Sequence, residues 1–141
     1  MEFGELLKEL TLILNALHRR NICFDRYTLS QCFVLLSIPE GGIDMSTLSS
    51  NLGLDNSTIT RLVDTLEKKD LVRREKDQED RRVNIVLLTD KGDKLAGEFE
   101  TSIELFGDDV LENISLENRE RVKESLEDVF WSLSKEKLAR F

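Results

Sequence analysis

Apolar residues recur along this chain with two different periods. Spacings of three and four put Phe3, Leu6, Leu7, Leu10, Ile13, Leu14 and Leu17 on one face of a helix over residues 2–20. A second helix is predicted from about Thr28 to Ser37, with Leu29, Cys32, Phe33 and Leu36 inward; Pro39, Gly41 and Gly42 end it. Ile43 to Met45 reads as a short strand, and Ser46 as the N-cap of a helix that points Leu48 and Leu52 inward. Gly53 supplies the tight bend into the next helix, whose N-cap is Asp55 and whose buried stripe is Ile59, Leu62, Val63 and Leu66. The pattern then changes. Leu71 to Lys76 and Val83 to Thr89 are rich in Val, Ile and Leu and read as two strands, with Val86 and Leu88 sharing an inward face. Helical spacing returns from Asp90 to about Asn113 through Leu95, Phe99, Ile103, Phe106 and Val110. Gly97 and Gly107 inside that helix each cost roughly 1 kcal/mol against Ala, which suggests a bend or a close contact there. Ser115 is placed as the cap of a last helix carrying Leu116, Val122, Leu126, Val129, Phe130, Leu133 and Leu138.

The polar positions give this succession a purpose. Opposite its apolar stripe, the helix after Gly53 shows Ser57, Thr58, Thr60, Arg61, Asp64, Thr65 and Lys68. Short hydroxyl side chains and one arginine in its first turns suit a helix whose N-terminal end meets base edges in a major groove. The loop DQEDRR between the two strands holds neither Gly nor Pro, so it is no two-residue turn and is long enough to project. Arg81 and Arg82 at its end are positioned to reach a minor groove, where the negative potential is strongest over A·T-rich steps. A carboxylate at Asp80 would repel phosphate, so its physical use is to hold an arginine; Arg74 is the candidate partner, and the two brace the wing. The fold expected is mainly α with a small β wing. Residues 28–94 form a winged helix-turn-helix lobe, and residues 1–27 and 95–141 form a helical dimerisation lobe built from both termini of a single 1–141 domain.

Leu52-Gly53-Leu54, the run STITRLVDTLE from Ser57 to Glu67, LVRR from Leu71 to Arg74, Asp80-Arg81-Arg82, Leu88-Thr89 and Gly92 together resemble the MarR family of transcription regulators, MarR/SlyA type. The resemblance implies a homodimer that binds a pseudo-palindromic double-stranded DNA operator, usually as a repressor, and is released by a small-molecule ligand or by oxidation. It also implies an effector pocket where the first, second and fifth helices meet. Here that pocket's lining would include His18, Phe24, Tyr27 and Phe99, residues that serve equally well as core or linker. At position 70 the family commonly has Gly where this chain has Asp. A residue leaving a helix often adopts the left-handed conformation, which Asp tolerates at a small cost.

Charge complicates a DNA-binding reading, since the net charge is −8. Residues 95–141 carry net −6, whereas the segment 67–94 with the wing is net +1. Screening at physiological salt acts over about 8 Å, so a distant acidic surface leaves a local cationic contact intact. A winged helix used as a protein-interaction scaffold without DNA is the alternative that the acidic balance favours. A redox-sensing repressor is another, with a thiolate at Cys23 or Cys32 activated beside His18, Arg19 or Arg20. Against it, the first helix proper, where the family's sensor usually lies, holds no cysteine. The two cysteines are too few and too scattered for a disulfide framework and read as reduced thiols. With one histidine and no clustered ligands, no metal site is expected, nor any cofactor. No Ser-His-Asp set, phosphate-binding glycine loop or HExxH points to an enzyme. No apolar run reaches the ~18 residues that span a bilayer, and the acidic start lacks the basic onset of a secretion signal. A cytoplasmic chain with no membrane partner is expected.

Overall fold

In the computed structural model, which describes residues 1–23 and 26–140, six helices and three short strands follow one another in the order that the periodicity predicts. They are α1 (Phe3–Asn21), α2 (Leu29–Leu36), β1 (Ile43–Asp44), α3 (Met45–Leu52), α4 (Asn56–Lys68), β2 (Val72–Lys76), β3 (Asn84–Leu88), α5 (Asp90–Glu112) and α6 (Arg119–Arg140). The chain divides into two compact units, residues 1–103 and residues 104–141.

The first unit is built on a core to which most of its elements contribute. Ile22, Val34, Leu35, Leu48, Ile59, Val63, Leu66, Leu71, Val72, Val86 and Phe99 are all buried. At roughly 1.5–3 kcal/mol for each large apolar side chain, this burial is the dominant favourable term. Thr28 opens α2 with a capping box: its hydroxyl accepts from the Gln31 N–H at 3.1 Å, and the Gln31 side-chain oxygen Oε1 accepts from the Thr28 N–H at 3.0 Å. The helix is sunk deeper than a single stripe implies. Gln31, Val34 and Leu35 are buried beside Leu29 and Cys32, whereas Phe33 and Leu36 are half-buried.

The sheet is antiparallel with strand order β1-β3-β2. Val72 faces Leu88, Arg74 faces Val86 and Lys76 faces Asn84, while Ile43 of β1 pairs with Val86 from the other side. Because β1 ends at Asp44, that residue and not Ser46 caps α3. The Asp44 carboxylate accepts from the Thr47 N–H at 2.8 Å and from its hydroxyl at 2.6 Å, and Ser46 falls inside the helix. A carboxylate on a residue already extended (φ −72°, ψ 152°) is the better acceptor and stands in the cap geometry first. Gly53 then turns the chain with φ of 64°.

Between α4 and β2, Asp70 takes the left-handed conformation with φ of 59°, at the position where glycine would do so freely. The exit from α4 is fastened to the entry of α5. The Thr89 hydroxyl donates to Asp70 O at 2.6 Å, the Thr89 N–H to Leu71 O at 3.1 Å, and Lys91 Nζ to Lys69 O at 3.1 Å. Gly92 closes this joint. Its N–H donates to the Thr89 hydroxyl at 3.0 Å, and a Cβ at this position would collide with the carbonyl oxygen of Leu71. The close approach suggested for Gly97 and Gly107 is therefore made at Gly92 instead; a Cβ on either of the other two meets nothing within 4 Å.

In the second unit, the last part of α5 is followed by a 3-10 turn, Leu116–Asn118, and then by α6. Ser115 does not cap α6 through its side chain. Its hydroxyl accepts from Asn118 Nδ2 at 2.7 Å and its carbonyl from the Asn118 N–H at 2.9 Å, which tightens the segment into the 3-10 turn and delays α6 to Arg119. No residue of α6 is buried; Leu126, Phe130, Trp131 and Leu133 are exposed.

Three substitutions test the joint by urea denaturation. Gly92→Ala should lose about 2–3 kcal/mol, because the collision is with backbone that cannot rotate away. Gly97→Ala should gain up to about 1 kcal/mol from helix propensity alone. Asp70→Gly should gain about 1 kcal/mol by relieving the left-handed cost.

Candidate nucleic-acid interface

Asp55 sets where α4 begins. Its carboxylate accepts from the Thr58 N–H at 2.7 Å and from the Ser57 hydroxyl at 2.8 Å, and these bonds, led by the backbone N–H, hold its carboxyl down to about 2. From that start the helical period buries Ile59, Val63 and Leu66 and leaves Leu62 half-buried. The opposite face follows necessarily. Ser57, Thr60, Arg61, Thr65 and Lys68 are exposed, and Thr58 is half-buried beneath the first turn. The hydroxyls of Thr60 and Thr65 donate back to the carbonyls of Asn56 and Arg61 at 2.8 and 2.9 Å, leaving their oxygens outward as acceptors. α3 is tied to α4 by the Ser49 hydroxyl, which donates to Asn56 Oδ1 at 2.9 Å.

The tip of the wing is ordered by its own backbone and by an ion pair between Asp80 and Arg82. The Asp77 N–H donates to Val83 O at 2.9 Å and the Val83 N–H to Asp80 O at 3.0 Å. Asp80 does hold an arginine, but that arginine is Arg82 and not Arg74. Arg82 Nε and Nη2 donate to the two carboxylate oxygens at 3.0 and 3.1 Å, and the Arg82 N–H adds a third bond at 3.1 Å. These bonds, the side-chain ones first, lower the Asp80 carboxyl below its ordinary range. The Arg82 side chain remains 91% exposed, and Arg81 beside it is exposed too.

Arg74 is turned elsewhere by strand alternation. Val72 is buried, so Arg74, two residues on, lies on the same face of β2 and meets α4. Its guanidinium pairs with Asp64 and, at 3.1 Å, with Glu67. Hydrogen bonds to Glu67 and then Asp64 raise its already high pKa. Asp64 and Glu67, three apart on one face of α4, thus anchor the wing strand. That spacing is visible in the sequence; the face to which Arg74 turns is set by the burial of Val72.

Of the residues expected around an effector, Tyr27 and Phe99 meet edge to face with ring centres 5.8 Å apart. Lys69 Nζ stands 5.0 Å from the Tyr27 ring centre and the Arg26 guanidinium 5.7 Å from it. Tyr27 also lines a cleft of about 480 Å³ with Arg19, Arg26, Thr28, Gln31 and Lys69. His18 packs against Phe33 at 6.1 Å, and burial lowers its pKa. Phe24 lies outside the described residues. Cys23 and Cys32, scattered in sequence, are brought together in the core. Burial, followed by the neighbouring Cys23 sulfur, pushes the Cys32 thiol up, the reverse of the activation expected beside His18, Arg19 and Arg20.

Residues 27–83 match the model of the MarR family. Over 77 residues the chain is 34% identical to YdgJ of Bacillus subtilis, named an uncharacterized HTH-type transcriptional regulator, covering 55% of this chain and 47% of that one. It is 37% identical over 67 residues to the HTH-type transcriptional repressor MdtR of Bacillus subtilis, covering 47% and 43%. The chain thus spans less than half the length of these relatives. Among solved structures, MarR shares its fold with a TM-score of 0.80 at 21% identity, covering 97% of this chain and 94% of that one. So does MepR of S. aureus in a DNA complex, with a TM-score of 0.74 at 21% identity, covering 94% and 99%.

The Asp55 cap gives a pH dependence. Its folded pKa is depressed, so its contribution to stability is present above the ordinary carboxylate value of 3.8 and is lost as pH falls toward about 2. Asp55→Asn keeps an acceptor oxygen but has no charge to lose. Melting curves recorded between these two pH values should therefore shift less for the variant than for the parent.

Proposed function

We propose, from the match of residues 27–83 to the MarR-family model, that the chain is a homodimeric, sequence-specific DNA-binding transcription regulator that represses from a pseudo-palindromic operator and is released by a small ligand. The observation that carries this reading is the exposed tip of the wing. A guanidinium gripped at both ends by one carboxylate is held in a single orientation, ready to enter a narrow minor groove. Its wing is anchored through Arg74 to the helix that shows Ser57, Thr60 and Arg61 to solvent. Those groups contact base edges or adjacent phosphates, with Thr58 under the first turn, and Arg81 and Arg82 take the minor groove. A protein of the same fold has been solved bound to DNA.

Dimerisation is supported by apolar surface in each unit, taken separately. Phe3, Leu6, Ile13 and Leu14 are exposed along α1 in the first. In the second, Phe130 and Trp131 are 57% and 63% exposed. Large apolar side chains left exposed along one helix are the mark of an association face. In the dimer, residues 1–27 and 95–141 form the pairing lobe and residues 28–94 the DNA-binding lobe. Two copies of α4 must stand about 34 Å apart to meet successive major grooves. A ligand beside Tyr27 and Phe99 that prefers another spacing weakens DNA binding, and DNA weakens that ligand by the same factor.

Selection from random duplex DNA, followed by binding measurements on the selected site, tests the reading. Arg82→Ala should weaken binding by about tenfold or more and lower the slope of log affinity on log salt by roughly one. Light scattering should give the mass of a dimer for parent and variant alike. A stable monomer, or no preference for any duplex in dilute salt, would overturn the proposal. A scaffold without DNA binding would leave Arg82→Ala indistinguishable from the parent.

A further inference from the structure

Cys23 follows the last turn of α1, and Cys32 lies in α2, nine positions on. Their Sγ atoms stand 2.7 Å apart, with Cys23 2% and Cys32 0% exposed. This separation is inside non-bonded sulfur contact yet longer than the ~2.05 Å of a disulfide bond, so the two thiols are unbonded but within reach of one another. Thiols are weak hydrogen-bonding groups, so a thiol–thiol hydrogen bond is a poor reason for two cysteines to be packed this closely in an apolar cluster.

We propose that Cys23 and Cys32 are a redox couple that closes into a reversible intrachain disulfide, with a low-molecular-weight disulfide such as glutathione disulfide as the oxidant. The Cys23 thiolate attacks one sulfur of the oxidant, forming a mixed disulfide and releasing one thiol. Cys32 then gives up its proton and attacks the Cys23 sulfur, forming the protein S–S bond and releasing the second thiol. The protein pair loses two electrons and two protons, and the oxidant becomes two thiols. Cys32 is assigned the second attack because burial pushes its thiol up, and because at contact distance the displacement is intramolecular. Cys23 is assigned the first because it stands at a helix end, held there by a long 3.4 Å bond from its N–H to His18 O. Helix ends open before helix interiors do. The bond ties the end of α1 to α2, so the oxidised chain loses freedom at the link between these helices. None of this depends on DNA binding.

The full chain is brought to equilibrium in glutathione buffers of graded redox ratio, quenched in acid, alkylated and weighed intact. The oxidised form should be lighter by two hydrogens, unalkylated at both cysteines and restored by dithiothreitol, with peptide mapping joining Cys23 to Cys32. Closing a short loop should raise its melting temperature by about 5–10 °C. The proposal is overturned if both thiols stay alkylatable across the series, if the product is a glutathione adduct or a chain-to-chain bond, or if oxidation lowers the melting temperature. Cys23→Ser should abolish the loss of two hydrogens; its persistence would equally overturn the pairing.

Discussion

The buried stripe of Ile59, Val63 and Leu66 determines where every exposed side chain of α4 points. Each of these residues contributes roughly 1.5–3 kcal/mol by leaving water, whereas a solvent-exposed ion pair is worth about 0–1 kcal/mol. Rotating α4 to present a different polar face would therefore cost several kcal/mol that no surface contact could recover. The ion pairs refine an orientation that packing has already imposed. Arg74, with only about a quarter of its side chain exposed, is the contact through which that orientation passes to the wing.

This hierarchy also explains which features were legible in the sequence. The α4 cap at Asp55 and its apolar stripe are local, depending on residues within one or two turns, and the structure has both where periodicity puts them. The two wing strands and their inward Val86 follow from composition and alternation. What was missed depended on neighbours distant along the chain or on competition between adjacent groups. Ser46 lost the α3 cap because β1 carries Asp44 into cap geometry first. Arg74 turns to α4 and not to Asp80 because burial of Val72 fixes which face of β2 it takes, a constraint set by packing across the sheet. Ser115 lost its cap to the side chain of Asn118. The meeting of Cys23 with Cys32 depends on how α1 and α2 pack, which no spacing rule encodes.

An acidic protein can present a cationic site only by economy of placement. Within the candidate interface Arg74 and Arg82 are each matched by carboxylates, so the local field is weak and the positions of the charges matter more than their number. The same carboxylates that reduce the net charge also remove rotamer freedom from the guanidiniums. On the proposed function, such a protein would hold non-cognate DNA loosely and discriminate by fit.

The joint at Gly92 has a mechanical consequence. Leu71 O, Asp70 O and Lys69 O are all engaged by the chain that begins α5, and Gly92 leaves no gap between the two segments. Compliance in a folded chain comes from unfilled space and unpaired backbone, and this corner has neither. A torque on the opening turns of α5 is therefore delivered to the base of α4 and to β2 as if to one rigid bracket, with no slack in which the motion could be lost.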